Sequence, residues 1–298
     1  MPPKYKGITR RRALASGRPP QVKPPPSLSR KATRTLIRTH HNLEKQRAQA
    51  LAAGDTDKAI QIAKQIEQHG GIKTYQQASL LGQAKERGGD SSKVLMDWLK
   101  SIELSSKVKG GIIAGNGRPL RMLEIGALST SNACSRSGLF EIERIDLNSQ
   151  VEGITQQDFM ERPLPKDTLE RFEIISLSLV LNYVPDATGR GEMLKRTLKF
   201  LRNPSLDEAQ QNLGASFPSL FLVLPVSCVM NSRYLDDPRL EAIMQSLGYV
   251  KVHQKLSNKL AYYLWKATDL GPKKRTESFK KVEVRVGKMR NNFAIVLN

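Results

Sequence analysis

A glycine and an acid that lie twenty residues apart are the residues of this chain whose types and spacing most directly predict chemistry. Gly126 ends the apolar run Leu120–Ile125, and Asp146 lies near the carboxyl end of the next run, 141–147. A glycine lets the backbone pass close to a ligand at the carboxyl edge of a parallel sheet. A carboxylate at the end of the following strand can accept hydrogen bonds from both hydroxyls of a ribose. The alternative is a surface acid in a loop, and the spacing from Gly126 favours the ribose.

The turn after the first strand is poorer in glycine than a phosphate-binding loop. Leu128 and Ser131 stand where such a loop would have further glycines. Those glycines let a pyrophosphate approach the backbone, so their absence favours an adenosine ligand without phosphates over a dinucleotide. Glu124, at the start of this turn, is included among the predicted cofactor-binding residues.

Two further loops carry candidate side chains. Asp158 follows a short third run, 151–155, and can accept a hydrogen bond from the exocyclic amine of an adenine, or it can be an ordinary acid at the start of a helix. The strand 172–181 leads into the stretch Asn-Tyr-Val-Pro-Asp. There Asn182 offers a donor and an acceptor to a base edge, and Tyr183 offers a flat face for stacking.

The same stretch ends at Asp186, which could stabilise charge that develops on a base. Asn182, Tyr183 and Asp186 are therefore the predicted catalytic residues. Each of the first two also has an ordinary interpretation, as a turn residue and as a core aromatic. No cluster of Cys and His has metal-ligand spacing, and Cys134 and Cys228 are far apart, so no metal site is expected.

The order of strand and helix signals predicts the sheet that positions these residues. Apolar runs alternate with helical patterns from residue 118 onward, as in an α/β fold. The runs 249–256 and 260–266 are separated by three residues, which is too short for a parallel crossover, so they predict an antiparallel hairpin. Such a hairpin distinguishes the methyltransferase form of the doubly wound fold from the dehydrogenase form. We therefore predict a seven-stranded, Rossmann-like methyltransferase sheet, and S-adenosyl-L-methionine as cofactor.

The rest of the chain predicts a helical lobe and basic, partly disordered ends. Ser27 or Ser29 can begin a first helix that ends at Gly54, and Asp55 can begin a second. Weaker patterns around Tyr75 and over 94–102 predict a third and a fourth helix. The predicted domains are a disordered basic tail, the helical lobe, a Gly-rich linker, the methyltransferase domain and a basic C-terminal extension, at 1–27, 28–105, 106–117, 118–270 and 271–298.

Positive charge is concentrated at the two ends. Residues 1–43 carry eleven Lys and Arg and no acid, and residues 251–298 carry twelve Lys and Arg against three acids. Solubility does not need this segregation, whereas a polyanion such as RNA gains affinity from it through counterion release. The alternative for the clusters 10–12 and 273–275 is a nuclear-import signal. No lipidation signal, membrane-length apolar run or signal peptide is present, which predicts a soluble intracellular protein without a membrane partner.

Four motifs together resemble one known family. They are Leu123–Leu128, Ile145–Asn148, Ser178–Asp186 and Arg290–Ile295. From about residue 70 to its end, the chain is similar to the fungal nucleolar large-subunit (25S) rRNA adenine-N1 methyltransferases. The resemblance implies an enzyme that uses S-adenosyl-L-methionine to methylate one adenine of large-subunit rRNA during ribosome biogenesis. It also implies that the rRNA is free or part of a preribosomal particle, and that the enzyme is located in the nucleus, in the nucleolus. By position, Gly126 and Asp146 match the cofactor-binding glycine and acid of that family.

Two functions from other classes share the same predicted pocket. One is a non-catalytic S-adenosyl-L-methionine sensor that binds a protein partner through the helical lobe, which would have no need of basic ends. The other is a structural ribosome-assembly factor whose pocket has lost its ligand. Cofactor binding and rRNA methylation, measured separately, distinguish the three.

Overall fold

The structure, a computed structural model, describes residues 29–71, 74, 78, 89–100, 119–149, 151–203, 216–268, 270 and 278–298. Several predicted features lie outside these residues. They are the basic tail 1–27 with Ser27 as a cap, the third helix around Tyr75, the Gly-rich linker 106–117, and the basic cluster 273–275.

Two helices at the amino-terminal end form a small cluster of their own. Helix α1 covers Arg30–Ala52 and helix α2 covers Thr56–Gln68. The Ser29 hydroxyl accepts a hydrogen bond from the N–H of Ala32, and the Asp55 carboxylate accepts one from Lys58, so both predicted caps are confirmed. The two helices pack through small and branched apolar side chains: Leu43, Ala50, Ala59, Ile62 and Ile66. None of the helices in the described part of the chain is both long and apolar enough to cross a bilayer.

Within the described residues, seven strands form one sheet in the order β3-β2-β1-β4-β5-β7-β6. Strands β1 to β5 are parallel to one another, and β7 runs antiparallel to both β5 and β6. The doubly wound fold class and the antiparallel hairpin are therefore confirmed. The strands are β1 Leu120–Ile125, β2 Phe140–Asp146, β3 Thr155–Gln156, β4 Ile174–Ser178, β5 Ser219–Pro225, β6 Tyr249–Leu256 and β7 Leu260–Ala267.

Helices and loops cover both faces of the sheet, which explains the nearly continuous apolar runs of its central strands. Leu123 and Ile125 of β1 belong to one buried cluster, whereas Leu120 and Met122 belong to the other. Alternate residues of β1 thus point into two separate cores. The helices of this domain are α3 Ser92–Leu99, α4 Ala133–Arg136, α5 Ala187–Phe200, α6 Val226–Met230 and α7 Asp237–Leu247.

Helix α3 packs against the sheet, whereas the sequence pattern predicts it as part of the helical lobe 28–105. Leu95 and Leu99 are buried in the same cluster as Phe221 and Leu264 of the sheet. The ring of Trp98 meets Phe221 edge to face, with centroids 6.0 Å apart. The apolar stripe of α3 predicts a buried helix but does not say which surface buries it. The helix covers Ser92–Leu99, and the last two residues of the predicted pattern, 101 and 102, lie outside the described residues.

Three elements have other bounds than those predicted. The strand expected over 172–181 covers Ile174–Ser178, because the chain reverses at Leu179. The third strand, expected over 151–155, covers only Thr155–Gln156. The helix expected over 232–247 begins at Asp237, where Asp236 caps it by accepting from the N–H of Arg239 and a proline occupies the first turn. Both features are typical of a helix start. The helix ends at Gly248, as predicted, with φ of +94°.

The described part of the predicted C-terminal extension, 278–298, packs on the methyltransferase domain and completes its core. Phe293, Ile295 and Leu297 are buried in the larger cluster. The N–H of Val296 donates to the carbonyl of Ala187 at 2.9 Å, at the start of α5. The sequence boundary at 270 therefore does not mark the end of the folded domain.

This packing predicts an unusual effect of a helical Gly→Ala change. In a helix interior, alanine is normally preferred to glycine by about 1 kcal/mol. A Cβ on Gly191 would lie 1.9 Å from the carbonyl oxygen of Val296. We expect Gly191→Ala to lower the free energy of unfolding in urea by about 1–3 kcal/mol, as overpacking does. An unchanged or higher unfolding free energy would show that α5 and the C-terminal segment do not meet in this way.

Candidate active site

The turn after β1 has no room for a side chain. Gly126 has φ of +72°, in the left-handed region that favours glycine, and its N–H donates to the carbonyl of Ile145 in β2 at 2.8 Å. A Cβ at this position would lie 2.4 Å from Cγ2 of Val180, which comes from the loop after β4. The turn after β1 and the loop after β4 are therefore in direct contact at the carboxyl edge of the sheet.

Glu124 supports the loop that follows this turn. Its Oε1 accepts a hydrogen bond from Nδ2 of Asn132 at 2.7 Å, and its Oε2 lies 3.7 Å from Nε of Arg144. Burial raises the pKa of the Glu124 carboxyl, and the contacts with Asn132 and Arg144 oppose that shift. The Oε2 atom of Glu124 is buried and has no hydrogen-bond partner among the described residues, and the role of Glu124 in cofactor binding stays a prediction.

Two acids follow β2 and β3. Asp146 is the last residue of β2; its Oδ1 accepts the N–H of Asn148 at 2.9 Å, and burial raises the pKa of this carboxyl. The N–H of Gln157 donates to the carbonyl of Asp146, so the loop that carries Asp158 begins beside it. Asp158 is exposed and accepts the N–H of Met160 at 2.7 Å. The predicted ribose and adenine contacts thus lie on neighbouring loops of one sheet edge.

A strained residue redirects the chain after β4. Leu179 has φ of +59°, a conformation that is rare for a bulky residue and costs about 1–3 kcal/mol. Its N–H is held by the carbonyl of Val223 in β5 at 2.9 Å. The reversal directs Val180 toward Gly126 and begins the loop with the predicted catalytic residues. Because leucine has no preference for this conformation, no local sequence pattern predicts it.

Asn182 carries a polar atom that the protein does not satisfy. Its Oδ1 is buried and has no hydrogen-bond partner among the described residues. A buried acceptor without a partner costs about 1–3 kcal/mol, so a ligand that donates a hydrogen bond there would gain affinity. The neighbouring Tyr183 is half-buried, and its N–H donates to the carbonyl of Val180 at 2.8 Å.

The third predicted catalytic residue has a structural contact of its own. Asp186 is exposed and caps α5, with Oδ1 accepting the N–H of Gly189 at 2.6 Å. The structure therefore brings Asn182, Tyr183 and Asp186 onto one loop, but one carboxylate oxygen of Asp186 serves the helix.

Arg190 supports this loop and has no counterpart in the sequence predictions. Its guanidinium is buried, donates through Nη1 to the carbonyl of Ala294 at 2.7 Å, and reaches the carbonyl of Pro185 through Nη2 at 3.4 Å. It also lies over the ring of Phe293, 4.5 Å from the centroid. One side chain thus joins the loop after β4 to the C-terminal segment.

The start of α3 closes the same edge of the sheet from the other side. The carboxylate of Asp90 accepts the N–H of Ala133 at 2.6 Å, at the end of the loop that follows Gly126. The hydroxyls of Ser91 and Ser178 lie 2.9 Å apart, and Ser178 ends β4. The Asp-Ser-Ser stretch 90–92 before the pattern of α3 indicates a helix cap. It does not indicate that this cap lies next to the candidate active site.

These loops meet where the strand order reverses, between β1 and β4, which is where open parallel sheets bind their ligands. The glycine turn packs against Val180, Asp146 ends the next strand, and the buried Oε2 of Glu124 lacks a hydrogen-bond partner among the described residues. These features fit an adenosine cofactor without phosphates. With the antiparallel β7, they define a Rossmann-like methyltransferase that uses S-adenosyl-L-methionine.

Comparison with known sequences identifies the family. Residues 60–295 match the Bmt2 family, described as 25S rRNA (adenine(2142)-N(1))-methyltransferase. The chain is 39% identical over 260 residues to the 25S rRNA adenine-N(1) methyltransferase of Schizosaccharomyces pombe, covering 87% of this chain and 89% of that one. It is 41% identical over 237 residues to the 25S rRNA (adenine(2142)-N(1))-methyltransferase of Saccharomyces cerevisiae, covering 79% of this chain and 63% of that one.

The chain therefore belongs to the Bmt2 family, which confirms the resemblance noted in the sequence. Among solved structures, it is similar to the N-methyltransferase NodS from Bradyrhizobium japonicum WM9, in complex with S-adenosyl-L-homocysteine. That match has a TM-score of 0.40 and 13% sequence identity, and it covers 63% of this chain and 93% of that one.

The contact between Gly126 and Val180 predicts a matched pair of variants. Gly126 and Gly138 have φ of +72° and +70°, but a Cβ on Gly138 would meet nothing within 4 Å. Both Ala variants bear a left-handed backbone penalty of about 1–2 kcal/mol. We expect Gly126→Ala, which also collides with Val180, to weaken S-adenosyl-L-methionine binding by at least about tenfold in calorimetry, a loss of about 1.4 kcal/mol. Gly138→Ala should bind as wild type does, and equal losses in both variants would contradict the steric argument.

Proposed function

We propose that this protein transfers the methyl group of S-adenosyl-L-methionine to N1 of an adenine in 25S rRNA. One observation carries the proposal: the turn suited to the cofactor touches the loop of Asn182 and Tyr183 through the contact of Gly126 with Val180. A cofactor and a base held on these two loops would be neighbours. Family membership supplies the choice of adenine, its N1 atom and the rRNA.

The residues of the first three strand ends bind the cofactor in this proposal. The carboxylate of Asp146 accepts hydrogen bonds from the two ribose hydroxyls, and that of Asp158 accepts one from the exocyclic amine of the cofactor's adenine. Gly126 lets Val180 pack against its backbone, which keeps the cofactor turn next to the loop of the target base. Glu124 fixes the loop between the turn and Asn132 by its hydrogen bond with Asn132. This loop is held by a side chain and does not contain the extra glycines of a phosphate-binding loop.

The loop after β4 holds the target base. The cofactor supplies a methyl group already activated by its sulfonium, so the protein mainly has to orient N1 in line with it in a dry pocket. The N1 lone pair forms the new N–C bond as the S–C bond breaks and S-adenosyl-L-homocysteine leaves. The methylated base can then lose a proton from its exocyclic amine to water. Tyr183 stacks on the base, and Asn182 orients its edge.

Asp186 contributes charge to this step and does not transfer a proton. One of its oxygens caps α5, which fixes the carboxylate at the end of the loop. A fixed negative group near the base stabilises the positive charge that methylation produces.

We further propose that the substrate is large-subunit rRNA, free or in a preribosomal particle, and that the protein acts in the nucleolus. Support comes from the excess of Lys and Arg in residues 1–43 and 251–298, which suits a large polyanion. The clusters 10–12 and 273–275 would in addition serve nuclear import.

The test of the function uses purified protein, radiolabelled cofactor and in vitro transcribed 25S rRNA. Methylation at N1 blocks the pairing edge of adenine, so primer extension should stop at one adenine. We expect Asn182→Ala to lower kcat by about a hundredfold, the effect of removing one oriented hydrogen-bonding group. Tyr183→Ala should lower kcat/KM by roughly 5- to 150-fold, because base–aromatic stacking contributes about 1–3 kcal/mol. Tyr183→Phe keeps the flat face and is the matched control.

Other results would point elsewhere. Cofactor binding without methylation of rRNA would support the sensor, and no cofactor binding would support the assembly factor. Wild-type rates in Asn182→Ala and Tyr183→Ala would end the assignment of the base to this loop, and a loss of cofactor affinity in the same variants would make them part of the cofactor site.

Asp146 predicts how cofactor affinity depends on pH. Burial raises the pKa of this carboxyl above its ordinary value of 3.8. Only the ionised form accepts both ribose hydroxyls, so lowering the pH through the raised pKa should weaken binding by about tenfold per pH unit. Calorimetry at falling pH measures this. Asp146→Asn, which stays neutral, should bind weakly with no such dependence, and a parallel loss in both proteins would assign the effect to another group.

A further inference from the structure

Residues 280–290, here named the basic ridge, combine positive charge with exposed apolar side chains. Five of the eleven residues are Lys or Arg, and Glu283 is the single acid. Val286 and Met289 are 81% and 91% exposed. Isolated exposed apolar residues need no explanation, but two of them on one short basic turn indicate a contact surface.

The basic ridge is held to the folded domain by its backbone. The N–H groups of Val284 and Arg285 both donate to the carbonyl of Arg233, at 2.8 and 3.2 Å. The guanidinium of Arg233 donates to the carbonyl of Gly287 at 2.9 Å and lies 3.8 Å from the carboxylate of Glu283. The single acid of the ridge is thus paired, and the exposure of the apolar side chains is a property of a fixed conformation.

The ridge lies beside the candidate active site. Helix α6 begins directly after β5, at the carboxyl edge of the sheet, and the Arg285 guanidinium donates to the carbonyl of Val229 in this helix at 2.8 Å. Asn291, at the end of the ridge, donates through Nδ2 to the carbonyl of Ser227 at 2.7 Å. Three residues further on, the carbonyl of Ala294 accepts a hydrogen bond from the guanidinium of Arg190. The same guanidinium donates to the carbonyl of Pro185 in the predicted catalytic loop.

The proposed reaction requires unpaired RNA beside the predicted catalytic loop. N1 of adenine is on the pairing edge of the base, so the enzyme reaches it only when the base is unpaired and turned out of any stack. The flanking nucleotides then expose apolar base faces next to their phosphates. A surface that presents cations and flexible or branched apolar side chains together is complementary to both.

We propose that the basic ridge binds the single-stranded rRNA that flanks the target adenine. Lys288 and its neighbouring cations contact phosphates, and Val286 and Met289 pack against the unstacked bases. This inference rests on the proposed function and adds the residues that deliver the substrate. The ridge acts on RNA affinity and leaves the cofactor site unchanged.

The test compares two double variants of the full chain. Lys288→Glu with Met289→Ser alters the exposed tip of the ridge. Lys166→Glu with Leu169→Ser makes the same changes at the opposite edge of the sheet, where Leu169 is 61% exposed and its carbonyl accepts from Arg121 near the start of β1. RNA binding is measured by fluorescence anisotropy on a 25S rRNA fragment over a range of salt, with cofactor affinity by calorimetry and the kcat and KM for methyl transfer.

We expect the ridge variant to raise the dissociation constant and KM for RNA about tenfold or more, with kcat and cofactor affinity unchanged. Each lost phosphate contact should make the slope of log affinity against log salt shallower by about 0.7–0.9. The control variant should behave as wild type. Equal losses in both variants would overturn the inference, because they would reflect net charge alone. Wild-type RNA binding by the ridge variant would also overturn it and would leave the ridge to a protein partner.

Failure of the proposed function gives a different result. A wild-type protein that binds the cofactor but neither binds nor methylates 25S rRNA would remove that function and this inference with it. A wild-type protein that methylates the rRNA, together with an unaffected ridge variant, would remove the inference alone.

Discussion

The contact between Gly126 and Val180 is the constraint on which the rest of the site depends. It requires a residue without a Cβ after β1 and a chain reversal after β4, which the strained Leu179 provides. Because two loops of different strands touch here, the surfaces proposed for the nucleoside and for the second base adjoin each other. The strain at Leu179 is the structural cost of bringing them together, and the hydrogen bond to Val223 in β5 keeps it in place.

Buried polar contacts do the work that glycines do in a phosphate-binding loop. Glu124 holds Asn132, and Asp90 holds the N–H of Ala133, so the start of the short helix α4 is tied to two carboxylates. Burial and, to a smaller extent, the nearby Asp90 raise the pKa of the Glu124 carboxyl, and Asn132 and Arg144 offset part of this rise. A loop fixed by side chains in this way does not need a backbone bare enough to surround a pyrophosphate. The scarcity of glycine in the motif is therefore consistent with a nucleoside ligand.

Much of the fold could be predicted from the sequence because its signals are local. The strand β1, the three-residue connection of the β6–β7 hairpin, and the helix ends at Asp55 and Gly248 depend on neighbouring residues alone. In the candidate site, the glycine turn and the acid at the end of β2 could also be predicted, from the twenty-residue spacing of Gly126 and Asp146.

The features that could not be predicted depend on distant parts of the chain. The docking of α3 on the sheet needs a partner surface that no local pattern specifies. The buried contacts of Arg190 join residues 104 positions apart, and an arginine in a helical pattern normally indicates a solvated face. Leu179 shows the limit most clearly, since its backbone conformation opposes the preference of its side chain.

The position of the C-terminal segment has a consequence for biosynthesis. The loop that starts at Asn182 leaves the ribosome long before Ala294 and Val296, which support its far end through Arg190 and Ala187. During translation the domain can form its sheet strand by strand, yet this loop gains its last support only when the segment after residue 290 has emerged. A premature stop codon upstream of Ala294 would yield a chain with every strand present and an unbraced site.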